Sequence, residues 1–70
     1  MKLNEVGLKV GAKNLGTVSV RNQVSVSQMK SFAGSIFHSP LVESVCVYTP
    51  DGTPKLYLRK TANGVIREEN

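Results

Sequence analysis

The chain has 70 residues, and its nine lysines and arginines outnumber its five acidic residues to give a formal net charge of +4. This length predicts one domain, whose single core supplies only about 3 to 5 kcal/mol and leaves room for support from a partner or a second copy. A lone cysteine excludes an internal disulfide. No apolar run reaches the roughly 18 to 20 residues that span a bilayer, and the N-terminus lacks a secretion-signal pattern. We therefore expect a cytoplasmic protein with no membrane contact.

Two strands are predicted before the helix. The first alternates apolar with small or polar residues over 6–12, and its two glycines suggest an edge position. After a turn at Asn14, the valines predict either one long strand over 18–26 with a bulge near 21–23, or a tight hairpin that pairs Val20 with Val24. The long strand is favoured because three-residue loops usually carry a left-handed glycine. The Val-Ser-Val repeats would suit strand addition from another chain at an edge, although an interior strand is the stronger expectation.

A helix is predicted to begin at Ser27 as its N-cap and to end by about Ser39, because Pro40 cannot continue it. Apolar residues recur at i, i+3, i+4, i+7 and i+8, which places them on one face: Met29, Phe32, Ala33, Ile36 and Phe37. Gly34 and the neighbouring serines lower the intrinsic helix propensity. We therefore expect this helix to depend on packing against the sheet.

Residues 44–59 predict a β-hairpin whose register follows from the Asp51-Gly52 turn. The strand over 41–49 is apolar on both faces and is predicted to be central. Leu41 and the following pairs are predicted to face the helix: Val45 with Leu58, and Val47 with Leu56. The opposite face is predicted to carry three pairs: Tyr48 with Lys55, Cys46 with Tyr57, and Ser44 with Arg59.

The Asn63-Gly64 turn predicts a short fifth strand in which Ala62 pairs with Val65 and Thr61 with Ile66. We expect one domain over 1–67 and a frayed tail over 68–70. The predicted fold class is α+β, with one antiparallel sheet of four to five strands in ββαββ order and a single helix on one face.

Catalytic and cofactor chemistry is not predicted. His38 is expected to serve as a partner of the helix C-terminus, and Cys46 as an inert strand thiol. One histidine, one cysteine and scattered acids do not make a metal site, and the glycines match no phosphate-binding loop. We therefore expect a protein that is not an enzyme and needs no cofactor.

The candidate binding site is the outer face of the hairpin, formed by Tyr48, Lys55, Tyr57 and Arg59. Aromatic rings between cations suit a protein interface, and they also suit stacking of bases in single-stranded nucleic acid. A plain alternative is that the tyrosines only favour strand formation while the charges keep the sheet soluble. Lys9, Lys13 and Arg21 would extend this surface if they share its face.

The segment Ser25-Val-Ser-Gln-Met-Lys-Ser-Phe-Ala33, followed by two strands, resembles the middle of small phage-encoded anti-CRISPR proteins that inhibit type I-F surveillance complexes. The resemblance covers residues 16–59. It implies a non-enzymatic inhibitor whose basic side chains occupy a path meant for nucleic acid, and Lys30 is the basic residue inside the matching segment.

We therefore expect a small basic binding protein, an inhibitor or regulator that occupies a surface of a partner protein such as a nucleic-acid-binding complex. Single-stranded nucleic-acid binding by the outer hairpin face is the first alternative. A structural protein that self-assembles through residues 18–26, with a homodimer as its simplest form, is the second.

Overall fold

The computed structural model describes residues 5–70 as five strands and one helix: β1 (Glu5–Ala12), β2 (Gly16–Gln23), α1 (Val26–Phe37), β3 (Val42–Tyr48), β4 (Pro54–Thr61) and β5 (Gly64–Glu69). The strands form one antiparallel sheet in the order β2-β1-β3-β4-β5. Helix α1 covers one face, where it packs on β1, β3 and β4 and leaves β2 and β5 uncovered. The predicted α+β class, helix placement and fifth strand are confirmed.

Strand β1 lies inside the sheet, so its predicted edge position is wrong. It pairs with β2 on one side and with the central strand β3 on the other. Val6 and Leu8 are each only 1% exposed, because they lie beneath α1. The two glycines that suggested an edge instead lie on the opposite face, where side chains of β3 cross them. Strand β2 is therefore an edge strand, and the expectation of an interior strand there is wrong as well.

Neither predicted form of the segment 18–26 is present. Strand β2 ends at Gln23, the N–H of Val24 donates to the carbonyl oxygen of Asn22 at 3.0 Å, and Val26 is already helical. The N-cap is Ser25, two residues before the predicted Ser27. Its hydroxyl oxygen accepts from the N–H of Gln28 at 3.1 Å, while the Ser25 N–H donates to the Gln28 side chain at 3.0 Å. This reciprocal capping box fixes the helix start.

The substitution Ser25→Ala should lower the free energy of unfolding by about 1 kcal/mol, since it removes the acceptor for the Gln28 N–H. Ser27→Ala is the matched control, and it should change stability by less than about 0.5 kcal/mol because Ser27 is an exposed residue of the first turn. Urea denaturation followed by circular dichroism measures both. An equal loss in the two variants would contradict the assigned cap.

The core lies between α1 and the three inner strands. Among residues 5–70, nine apolar residues are buried: Val6, Leu8, Met29, Ala33, Val42, Val45, Val47, Leu56 and Leu58. Two predicted core residues are exposed instead, Phe32 at 54% and Leu41 at 60%. A register shift opposite Gly11 and Ala12 turns Val42 inward in place of Leu41. Phe32 lies beside Val24, near the uncovered end of β2.

The β3–β4 hairpin has the predicted register at four positions, including Val47 with Leu56 and Cys46 with Tyr57. The predicted Tyr48–Lys55 pair is wrong, since a β-bulge places Pro54 opposite Tyr48. The cause is the turn. The N–H of Thr49 donates to the carbonyl oxygen of Thr53 at 2.9 Å around a three-residue loop, whose last residue Gly52 has a φ of +88°. A left-handed glycine at this position is typical of a hairpin loop that ends in a bulge.

Asp51 closes the same loop through its carboxylate. The Thr49 hydroxyl donates to Asp51 Oδ1, and the backbone N–H of Thr53 donates to the same oxygen at 3.1 Å. The Thr49 hydroxyl, followed by the Thr53 donor, lowers the pKa of Asp51 to about 2. The pKa falls because both hydrogen bonds favour the charged carboxylate.

Strand β5 pairs with β4 in a register two residues away from the prediction. Thr61 lies opposite Gly64, and Ile66 lies opposite Arg59. The strand continues to Glu69, and the N–H of Asn70 donates to the carbonyl oxygen of Lys55 at 3.1 Å, so the predicted frayed tail over 68–70 is held against β4. Within residues 5–70, the single helix has 12 residues and lacks the length and apolar character needed to cross a membrane.

Candidate functional site: an aromatic and cationic sheet face

The sheet face opposite α1, hereafter the outer face, is built from residues that alternate with the buried ones on each strand. The strand registers place their side chains in rows across the sheet, about 7 Å apart along the strands and about 4.8 Å apart between neighbouring strands. The middle row contains Ser19, Lys9, Cys46, Tyr57 and Glu68. The two flanking rows contain Arg21, Gly7 and Tyr48 on one side, and Thr17, Gly11, Ser44, Arg59 and Ile66 on the other.

The ring of Tyr48 lies flat on the sheet because its neighbour on β1 is a glycine. A Cβ atom placed on Gly7 would stand 2.2 Å from two carbons of the ring. The ammonium group of Lys9 lies 5.4 Å from the ring centroid, a cation–π distance. Tyr48 is thus half-buried and held from below by the backbone of β1 and from the side by Lys9.

Gly7→Ala should displace the Tyr48 ring and lower the free energy of unfolding by about 1 kcal/mol. Replacing a glycine inside a strand usually raises stability, so the expected effect has the opposite sign. Gly34→Ala is the matched control. A Cβ atom there meets nothing within 4 Å, so this helical substitution should raise stability by about 0.5 to 1 kcal/mol. Urea denaturation gives both values, and the Tyr48 ring protons in an NMR spectrum report the displacement. A stabilised Gly7→Ala protein with unshifted ring signals would contradict this packing.

The cations of the outer face have no acidic partner in the described part of the chain. Both ion pairs found within residues 5–70 involve Glu69 on the opposite side of the sheet, at 3.0 Å from Lys30 and 2.8 Å from Arg67. Lys9, Arg21 and Arg59 therefore keep their charges available. The acids of this face, Glu5 and Glu68, lie at its borders.

The structure brings together three of the five predicted site residues. Tyr48, Tyr57 and Arg59 share the outer face. Lys55 lies at the bulge and lines a groove beside Val6 and the loop over 49–53. Lys30 lies on the other side of the sheet, where it pairs with Glu69, so it does not join this surface.

The sequence names Lys9, Lys13 and Arg21 as possible extensions of this surface but leaves the face on which they lie open. The structure places Lys9 and Arg21 on the outer face and Lys13 in the β1–β2 turn. The outward position of Lys9 follows from alternation, because Val6 and Leu8 are buried and Val10 is partly buried on the opposite face of β1. The position of Arg21 beside Gly7 and Tyr48 depends on the order of the strands, which the alternation in β2 does not encode.

The remaining candidates for chemistry do not converge. Cys46 lies in the middle row of the outer face, where partial burial raises the pKa of its thiol and the Lys9 ammonium opposes that rise. His38 caps the C-terminus of α1 on the other side of the sheet. Among residues 5–70, no three histidine, cysteine or acidic side chains lie close enough together to hold a metal ion.

Comparison of the chain with protein-family models, with curated proteins and with solved structures gave no match. The resemblance to anti-CRISPR proteins therefore stays a prediction.

Proposed function

We propose that this protein is a non-enzymatic binding protein that covers an acidic surface of a partner protein with its outer face. The observation that carries the proposal is the set of unneutralised cations, Lys9, Arg21 and Arg59, placed around the half-buried rings of Tyr48 and Tyr57. Tyrosine and arginine are enriched at the energetic centres of protein interfaces. Their combination on one face supports binding beyond what solubility requires.

The rigidity of this face supports tight binding. The central strands fix the backbone, and the Tyr48 ring already rests on Gly7 with Lys9 beside it. Little side-chain freedom is then lost on association, which lowers the entropic cost. Such a protein acts by steric occupation, as an inhibitor or regulator. The resemblance to phage-encoded inhibitors implies a nucleic-acid-binding complex as the partner class.

Single-stranded nucleic acid is the alternative ligand of the same face. Sheet-based binders stack two or three bases on open aromatic rings. Here Lys9 already occupies the vicinity of the Tyr48 ring, and Glu68 lies opposite Tyr57, where its charge repels a phosphate. These two contacts favour a protein partner. With three cations engaged, nucleic-acid binding would weaken with salt at a slope of about −2 in log K against log salt.

Affinity purification of the tagged protein from its native host, with and without nuclease, tests the proposal. We expect a protein partner that is retained after nuclease treatment and released by salt more gradually than a phosphate-bound ligand. Retention lost on nuclease treatment would replace the proposal with nucleic-acid binding. A preparation with no specific partner under either condition would refute both.

A further inference from the structure

The two edges of the sheet are protected very differently. Edge strand β5 carries Arg67, Glu68 and Glu69 among its six residues, and such charges discourage pairing with another strand. Edge strand β2 has eight residues, all exposed, with Arg21 as its single charge and no proline. Its pairing with β1 has no register shift, so no bulge twists the edge away. Strand β2 therefore presents a straight, unguarded row of backbone donors and acceptors.

An apolar surface adjoins this open edge on the helix side. Val18 and Val20 project to the same side of the sheet as α1, and because the helix does not cover β2 they remain 52% and 41% exposed. Phe32 of α1, 54% exposed, borders a groove with Asn22 and Val24 at the end of the strand. The edge thus offers backbone pairing and apolar contact together.

We propose that a second copy of this chain pairs with β2 in antiparallel fashion, around a two-fold axis that passes beside Ser19. A two-fold axis perpendicular to the sheet keeps the two helices on the same side and pairs residues that share a face. With the axis at Ser19, Val18 of each copy lies opposite Val20 of the other, so every valine on the helix side meets a valine.

The neighbouring registers match less well. An axis at Val18 places Val20 opposite Gly16, and an axis at Val20 places Val18 opposite Asn22. The Ser19 register also places Arg21 opposite Thr17, which keeps the two arginines several residues apart and avoids the cost of opposed like charges. The sequence of β2 is therefore self-complementary in one register, and this favours a second copy over an unrelated extended peptide.

The paired copies form a continuous sheet of ten strands, five from each chain. Asn22 then lies opposite Gly16 of the other copy, which brings the adjoining exposed Leu15 toward Phe32. Four of the large exposed apolar side chains of each chain approach this interface: Leu15, Val18, Val20 and Phe32. Arg21 lies both on β2 and on the outer face, but the paired valines lie on the helix side of the sheet, away from Lys9 and Arg59. The two tests of the dimer below therefore do not depend on the proposed function.

A disulfide cross-link tests both the dimer and its register. In a Cys46→Ser background, Ser19→Cys places two thiols opposite each other at a Cα separation of about 4.5 to 5.5 Å, within the range of a disulfide. Thr17→Cys is the matched control on the same strand and face. Its two copies lie about 13 Å apart along the strands, too far for a bridge. We expect mild oxidation to link Ser19→Cys chains almost completely and Thr17→Cys chains very little. Equal linking of the two variants would overturn the register.

Sedimentation tests the unmodified protein. We expect a monomer–dimer equilibrium over an about hundredfold concentration range for the wild type. The double variant Val18→Lys with Val20→Lys should be monomeric throughout, with an unchanged circular dichroism spectrum, because both positions are exposed in a single chain. A wild-type protein that stays monomeric over the whole range would overturn the proposal. So would dimers that survive the two lysines.

Discussion

Binding to the partner is expected to fall by about a hundredfold or more when Lys9→Glu is combined with Arg59→Glu. Lys9 lies beside Cys46 in the middle row of the outer face, and Arg59 lies in the next row, two residues from Tyr57 on β4. Neither cation has an acidic partner within residues 5–70. Each reversal replaces attraction to an acidic surface by repulsion, and about 1.4 kcal/mol from each position gives the expected factor. Calorimetry or surface plasmon resonance measures the dissociation constant, with the partner protein that is retained after nuclease treatment.

The matched control makes the same charge change elsewhere. Lys13→Glu combined with Arg67→Glu alters the net charge equally, but Lys13 lies in the β1–β2 turn and Arg67 lies on the helix side of β5. We expect its affinity to stay within about threefold of the wild type, because long-range charge effects are screened at physiological ionic strength. If the two double variants lost affinity equally, net charge rather than the outer face would explain the binding. Undiminished affinity in the first variant would show that the partner binds elsewhere.

The sequence predicted the hairpin and most of the core because both depend on local rules. Alternation along β3 and β4 placed Val45, Val47, Leu56 and Leu58 inward, and a turn signal between the strands set their register. Alternation and turn signals do not give the order of strands in the sheet, and the prediction is wrong where two paired strands are distant along the chain. The two glycines of β1 predict an edge strand, yet the crossover through α1 brings β3 alongside it. The glycines are needed there because Tyr48 and Ser44 lie across them.

The candidate site shows the same division. Tyr57 and Arg59 were predicted correctly to share a face, since they lie two residues apart on one strand. Lys55 was assigned to that row, but the bulge created by the three-residue loop takes it out of register with Tyr48. Lys9 replaces it as the cation beside Tyr48, and this contact joins strands β1 and β3, which are distant in sequence. A pairing of this kind follows from strand order and cannot be obtained from alternation.

The largest loss of stability is expected for Leu8→Ala. Leu8 is 1% exposed and lies between Val20 and Val47 in the inner part of the sheet, beneath α1. Truncation of a buried leucine costs about 2 to 5 kcal/mol through lost burial and the cavity that remains. A core of this size supplies only about 3 to 5 kcal/mol in total. We therefore expect the variant to be largely unfolded at 25 °C, as judged by the loss of its circular dichroism signal.

Leu41→Ala is the control for this effect, because it removes the same atoms from a side chain that is 60% exposed. Its free energy of unfolding should differ from the wild type by less than about 0.5 kcal/mol. A well-folded Leu8→Ala protein would contradict the assigned core. The free energy of unfolding of a single chain is small, so dimerisation can contribute a large share of the stability. If only folded chains pair through β2, association raises the free energy of unfolding by mass action. We expect the unfolding midpoint of the wild type to rise with protein concentration. The midpoint of the Val18→Lys, Val20→Lys variant should not change with concentration, because this variant does not dimerise.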